Sequence, residues 1–375
     1  MSTSTVITAK RMYAPSGMVD DGWVRVDGDT IAECGEGQPP SAPDLVIDGI
    51  LAPGFVDVHS HGGGGASFDS SRDDALTVLD AHAQHGTTTM VASLVTAGLD
   101  DLADQVRTLA QLVDERRLAG IHLEGPWLAS KYKGAHTESL LLDPTVADVQ
   151  RILDASNQTV KMITIAPEKP GALEVITHLA NLGVMAAVGH TAADYDCTLA
   201  AIAAGARGTT HLFNAMPDLL HRAPGPALAL WRDPEVWVEL VCDGVHVHPA
   251  LVAQVMQTKP SRAVFITDAM AAAAHADGDY TLGGLPVEVR QGVARIAGTP
   301  TIAGSTLTLD RAIRTAVAAG IDLNLALRAA TSNPADYLGL TGVGRIQPGS
   351  LADLVCLDPG LNVTGVMRRG SWLDA

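Results

Sequence analysis

The chain reads as an α/β protein built on a TIM-like (β/α)8 barrel, with a small β-sandwich domain made from both termini. Three observations predict this. Eight short apolar stretches alternate with helical patterns between residues 54 and about 335. Both ends of the chain have a strand-and-turn texture instead. The polar residues that interrupt the apolar stretches fall at their C-terminal ends, where the chemistry of such barrels gathers.

Taken in order, residues 1–53 supply the first part of the terminal domain, with strands at Thr5–Thr8, Gly22–Val26 and Thr30–Glu33, and Gly28, Gly35 and Pro39-Pro40 as punctuation. Residues 54–335 form the barrel. Its strands are expected at Gly54–His59, Thr87–Leu94, Ala119–Glu124, Val160–Ala166, Val184–Gly189, Gly208–Leu212, Val236–Asp243 and Ala263–Asp268. Helices lie between them: Asp100–Arg117 carries Leu102, Val106, Leu109 and Val113 on one face, and Asp194–Ala204 and Pro249–Gln257 behave alike. The glycine-rich stretch 277–304 predicts a β-hairpin insertion after the eighth strand, followed by closing helices Arg311–Ala319 and Leu323–Thr331. Residues 336–375 complete the terminal domain, with strands in Leu351–Asp358 and Asn362–Met367.

Composition narrows the function classes. Of 375 residues 47% are hydrophobic and 18% charged, which implies a substantial core and no segment disordered by composition. The net charge of −17 offers no basic face for phosphate backbones, so a nucleic-acid partner is not expected, and an anionic substrate needs local cations. No apolar run reaches membrane-spanning length, and the start Met-Ser-Thr-Ser-Thr-Val lacks the basic and apolar regions of a signal peptide. Cys34, Cys197, Cys242 and Cys356 are scattered without metal or disulfide spacing, so a reduced, cytoplasmic protein is expected.

The chain is organised around Leu51-Ala-Pro-Gly-Phe-Val-Asp-Val-His-Ser-His-Gly62. Alternating strand residues share a face, so His59 and His61 present two imidazoles side by side before a glycine loop. Glu124 ends the third strand, His190 the fifth, His211 the sixth and Asp268 the eighth. Several imidazoles with a carboxylate and no thiolate suit Zn²⁺, Fe²⁺, Co²⁺ or Mn²⁺. Singly, a strand-end Asp is as readily a helix cap and a lone His a satisfied core residue. Their convergence on one barrel face favours a metal site.

The PGFVDVHSHG start and the Gly344-Arg-Ile-Gln-Pro-Gly-Ser-Leu-Ala-Asp-Leu-Val355 ending resemble the amidohydrolase superfamily. Within it, HLEGPW, GHT, THLFNAM, CDGVHVHP and TDAM are similar to the N-acetylglucosamine-6-phosphate deacetylase family, along the whole chain. The resemblance implies a metal-dependent hydrolase that removes an acetyl group from a phosphorylated amino sugar. It implies Glu124, His190 and His211 as ligands of the main metal, and His59 and His61 as ligands of a second one bridged by Glu124. Capacity is therefore for one or two divalent ions per subunit, with Zn²⁺ the first expectation. It further implies Asp268 as catalytic acid/base and His136 as the group that polarises the acetyl carbonyl. Asn214, the Ala215 backbone, His246 and Arg222 match substrate contacts, Arg222 reaching in from the neighbouring subunit of a homodimer.

Other histidines carry weaker readings. His122 shares the strand face of Glu124 and could stand behind the ligands, while His221 and His248 could touch substrate. His82, His85 and His178 read as ordinary helix residues, and His275 has no role. The nearest rival is another amidohydrolase, such as an N-acyl-amino-acid deacylase. Members that bridge metals with a carboxylated lysine do not fit, because Lys169 lies beyond the end of the fourth strand. A non-catalytic metal-binding scaffold would require lost site residues, and none is lost.

Overall fold

The computed structural model describes residues 4–374. The terminal segments share one seven-stranded sheet. Ser4–Ala14 and Gly17–Asp27 form an antiparallel hairpin extended by Thr30–Glu36. Leu45–Pro53 joins Ser4–Ala14 in parallel, and Leu354–Leu357, Val363–Arg368 and Ser371–Trp372 complete the order. The far edge curls back: Ile31 N–H donates to Ser350 O at 2.8 Å, just before the chain enters Leu354–Leu357. The terminal unit is thus one sheet folded over a core that includes Ile7, Val24, Ile31, Leu51, Ile346 and Leu354. Strand Leu45–Pro53, absent from the sequence reading, is central to it.

Six barrel strands run parallel in sequence order: first Phe55–Ser60, second Thr87–Val95, third Gly120–Glu124, fourth Val160–Ile165, fifth Met185–Val188 and sixth Gly208–Thr209. The seventh, Val238–Val241, and eighth, Ala263–Ile266, pair only with each other as strands. Isolated bonds close the ring at both seams. Leu212 N–H donates to Glu239 O (2.9 Å) between the sixth and seventh strands, and Asp268 N–H to His59 O (2.9 Å) between the eighth and first.

Several elements end earlier than the residue pattern suggests. The sixth strand stops at Thr209 because His211 adopts a left-handed backbone (φ 30°) incompatible with a pleated ladder. The helix expected over Asp100–Arg117 is Leu99–Asp114, with Arg116 left-handed (φ 58°) beyond its end. It buries Leu102, Val106 and Leu109 as expected, each contributing about 1.5–3 kcal/mol of burial. Asp194 caps helix Tyr195–Ala204 by accepting from Cys197 N–H at 2.8 Å, and this fixes its start. The expected hairpin insertion is a three-stranded antiparallel sheet: Gly278–Leu282, Leu285–Arg290 and Val293–Ile296. Among the described residues no helix is long and apolar enough to cross a membrane.

Candidate active site

The strand ends converge on a cavity of about 740 Å³. His61, Glu124, His136, His190, His211 and Asp268 line its depth, and Asn214, Ala215 and His246 line it beside them. Leu282, Leu285 and Ile296 of the inserted sheet line it too, and Lys131 and Lys133 bring positive charge to it. His59 is fully buried and is not part of the lining. Arg222 is exposed and does not line the cavity of its own chain.

Backbone conformation aims several of these side chains. His190 (φ 47°), His211 (φ 30°) and Asp268 (φ 49°) are left-handed non-glycine residues at the ends of the fifth, sixth and eighth strands. Such conformations cost on the order of 1–3 kcal/mol each and persist where the surroundings hold them.

Hydrogen-bond partners then fix which imidazole nitrogen faces the centre. His59 Nδ1 lies 3.0 Å from Glu239 Oε2, His61 Nδ1 3.2 Å from Ser93 O, and His190 Nδ1 2.8 Å from Tyr132 O. Carboxylates and carbonyls only accept, so each Nδ1 carries the proton and each Nε2 presents a lone pair. Those nitrogens meet one another and His211: His59 Nε2 is 3.2 Å from His61 Nε2, and His190 Nε2 is 3.0 Å from His211 Nε2. Glu124 lies between the two pairs. Its Oε1 is 3.1 Å from His190 Nε2 and 3.0 Å from His211 Nε2, and its Oε2 is 3.1 Å from His61 Nε2. Asp268 Oδ1 stands 3.3 Å from His61 Nε2. Converging lone pairs and carboxylates repel unless a cation sits among them. The donor set therefore fits divalent metal, in two overlapping groups: His59, His61, Glu124 and Asp268, and Glu124, His190 and His211.

His136 is arranged the opposite way. Thr96 N–H donates to its Nδ1 (3.3 Å), so Nε2 carries the proton and points towards Glu124 Oε2 at 3.5 Å. Burial lowers its pKa to about 4, so the ring is a neutral donor facing the cavity. The Glu124 carboxyl, which burial would raise, is pulled well below its usual range by His59 and His190. The Asp268 carboxyl is likewise held below its usual range, against burial, by the imidazoles of His61 and His59. His246 Nδ1 is 2.6 Å from Asp243 Oδ2, which orients that ring on the cavity wall.

Of the supporting residues, the sequence points to His122 alone. Glu239 and Asp57 are fully buried acids on the seventh and first strands. Asp57 accepts from Thr267 Oγ1 at 2.6 Å. Ser93, His122, Thr164 and Thr210 form a polar belt across the barrel: Ser93 Oγ to His122 Nδ1 2.9 Å, His122 Nε2 to Thr164 Oγ1 2.8 Å, Thr164 Oγ1 to Thr210 Oγ1 2.6 Å. His122 therefore stands behind the ligands, its ring 4.5 Å from that of His59. His248 instead caps helix Pro249–Thr258, and His221 is exposed.

A ring of parallel strands whose C-terminal ends gather imidazoles and carboxylates around an open cavity defines a metal-dependent hydrolase barrel. Residues 50–373 match the amidohydrolase family, and the chain belongs to that family. The N-acetylgalactosamine-6-phosphate deacetylase of Escherichia coli O157:H7 is 37% identical, over 97% of this chain and 98% of that one. The N-acetylglucosamine-6-phosphate deacetylase of Vibrio furnissii is 34% identical, over 85% and 82%. Among solved structures, N-acetyl-D-glucosamine-6-phosphate deacetylase from Mycobacterium smegmatis, an aspartate-to-alanine variant in complex with N-acetyl-D-glucosamine-6-phosphate, superposes with a TM-score of 0.97. It is 48% identical over 99% of both chains.

Proposed function

We propose that this chain hydrolyses the N-acetyl group of N-acetylglucosamine 6-phosphate, giving glucosamine 6-phosphate and acetate in amino-sugar catabolism. The observation that carries the chemistry is the opposed proton placement: lone pairs of His61 and His190 face inward while His136 Nε2–H faces the same space. Glu124, His190 and His211 would hold one ion, and His59 and His61 a second shared through Glu124, with Zn²⁺ the first choice for nitrogen and oxygen donors. A bound divalent ion would acidify its water towards neutral pH and polarise the acetyl carbonyl. Asp268 takes the proton of the attacking water and delivers it to the sugar nitrogen as the C–N bond breaks. His136 Nε2–H donates to the carbonyl oxygen as negative charge builds there, an effect worth roughly 3 kcal/mol in comparable sites.

Asn214, the Ala215 backbone and His246 would contact sugar and phosphate. Arg222, outside its own cavity, would complete the phosphate site of a partner subunit, which makes the homodimer the functional unit of a cytoplasmic enzyme. Leu219 and Leu220, exposed beside Arg222, are consistent with an interface there. A second reading is the C4 epimer, N-acetylgalactosamine 6-phosphate, favoured by the name of the Escherichia coli relative.

Acetate release from both phosphorylated sugars and from free N-acetylglucosamine tests the proposal. Turnover of a phosphorylated sugar at least about a hundredfold above the free sugar is expected. In Arg222→Ala the phosphorylated substrate should lose far more kcat/KM than the free one, and equal losses would remove Arg222 from the phosphate site.

A further inference from the structure

Glu239 is an acid with no exposure in the middle of the seventh strand, in the apolar run Val238-Glu-Leu-Val241. An ionised group there is costly unless its bonds are specific. Its Oε2 lies 3.0 Å from His59 Nδ1 and accepts from His211 N–H at 3.2 Å, while Oε1 has no hydrogen-bond partner. Tyr337 lies against the same carboxylate, whose charge, after burial, pushes the phenol pKa well above its usual range. Gly208 makes room for that ring, since a Cβ there would sit 2.2 Å from the Tyr337 hydroxyl.

Closing the seam between the sixth and seventh strands does not explain a carboxylate. The main chain already closes it through Leu212 N–H and Glu239 O at 2.9 Å. A neutral amide oxygen would accept from His211 N–H equally well. His59 is the partner a carboxylate serves best, since an acceptor-only group fixes the proton on Nδ1 and adds negative charge behind the ring. His61 and His190 are oriented by the backbone carbonyls of Ser93 and Tyr132, and His211 Nδ1 has no partner. Of these four rings only His59 is backed by a carboxylate.

We propose that Glu239 is the positioning residue that makes the His59–His61 pocket able to hold an ion. It fixes the His59 proton on Nδ1, keeps the Nε2 lone pair aimed at the space shared with His61, Glu124 and Asp268, and sets a negative charge behind the ring. This rests on the two-ion reading above and adds to it the residue that decides loading of the second position.

The test is metal content and affinity per subunit, measured on purified chains stripped of metal, reloaded with Zn²⁺ and titrated against a chelator. The wild type should take two ions. Glu239→Leu should weaken the second ion by roughly 10- to 100-fold or more and leave the first near its wild-type affinity. Glu239→Gln, which keeps an acceptor, should fall between them. Should Glu239→Leu not fold, a double-mutant cycle decides: in a His59→Ala background Glu239→Gln should no longer change metal affinity. Two ions held normally by folded Glu239→Leu would overturn the proposal. So would equal weakening of both ions, which would make Glu239 a support of the His211 turn, or an undiminished Glu239→Gln effect without His59. A wild type that never takes a second ion would instead defeat the two-ion reading itself, and that result is visible before any variant is made.

Discussion

The first six barrel strands and the last two are built differently. From Phe55–Ser60 to Gly208–Thr209 the strands form one continuous parallel ladder, whereas Val238–Val241 and Ala263–Ile266 pair only with each other. At the two seams isolated backbone bonds and buried side chains take over: Glu239 with His59 and His211 at one, Asp57 with Thr267 at the other. In the ladder, side chains such as Leu123 and Ile163 face the helices and are fully buried. The continuous sector supplies stability, and at the seams His211 and Asp268 turn into the cavity on left-handed backbone, as His190 does at the end of the fifth strand.

Four experiments can break or sharpen that division. The largest effect is expected at the seam. Asp268→Asn should lower turnover about a thousandfold or more, because the amide cannot accept the water's proton, while an ion at Glu124, His190 and His211 is retained. Near-normal turnover would take Asp268 out of the mechanism. In the ladder, Leu123→Ala should cost about 2–5 kcal/mol of stability in denaturant titration, with turnover per folded molecule unchanged. A comparable loss of turnover there would abolish the distinction.

The third concerns His82, fully buried beneath the glycine loop that leaves the first strand, its Nε2 3.0 Å from Gly62 O. Burial lowers its pKa from 6.5 to about 4, so the folded chain keeps it neutral. Between those values the unfolded chain takes up a proton that the folded one refuses. Stability should therefore be lost as pH falls from about 6.5 to about 4, by roughly 3 kcal/mol. His82→Gln should flatten that part of an unfolding-midpoint profile, and an unchanged slope would assign it to other groups. Smallest is Arg151→Ala, which removes an exposed ion pair with Asp100 on the ladder's outer helices and should change stability by less than about 1 kcal/mol.

The sequence made the strand-end histidines and acids visible because each breaks an apolar run, and it made helix faces visible through their period. The shared strand face of His122 and Glu124 was also readable, and His122 indeed stands behind the ligands. Glu239 broke an apolar run just as plainly, but nothing local announces a partner 180 positions away in the chain. The sixth strand is shorter than its residues suggest because Thr210-His-Leu-Phe has strand-like texture, while the left-handed His211 is imposed by tertiary contacts. Leu45–Pro53 is not legible as a strand because exposed Leu45 and Val46 hide its alternation, and its place depends on a strand from the other end of the chain.

The left-handed backbone at His190, His211 and Asp268 also narrows the routes open to mutation. Asparagine, aspartate and glycine tolerate that conformation, whereas valine, isoleucine and threonine strain it. Descendants of this gene that lose a ligand should therefore drift first towards small amides, acids or glycine, and keep a folded barrel after the catalyst has gone.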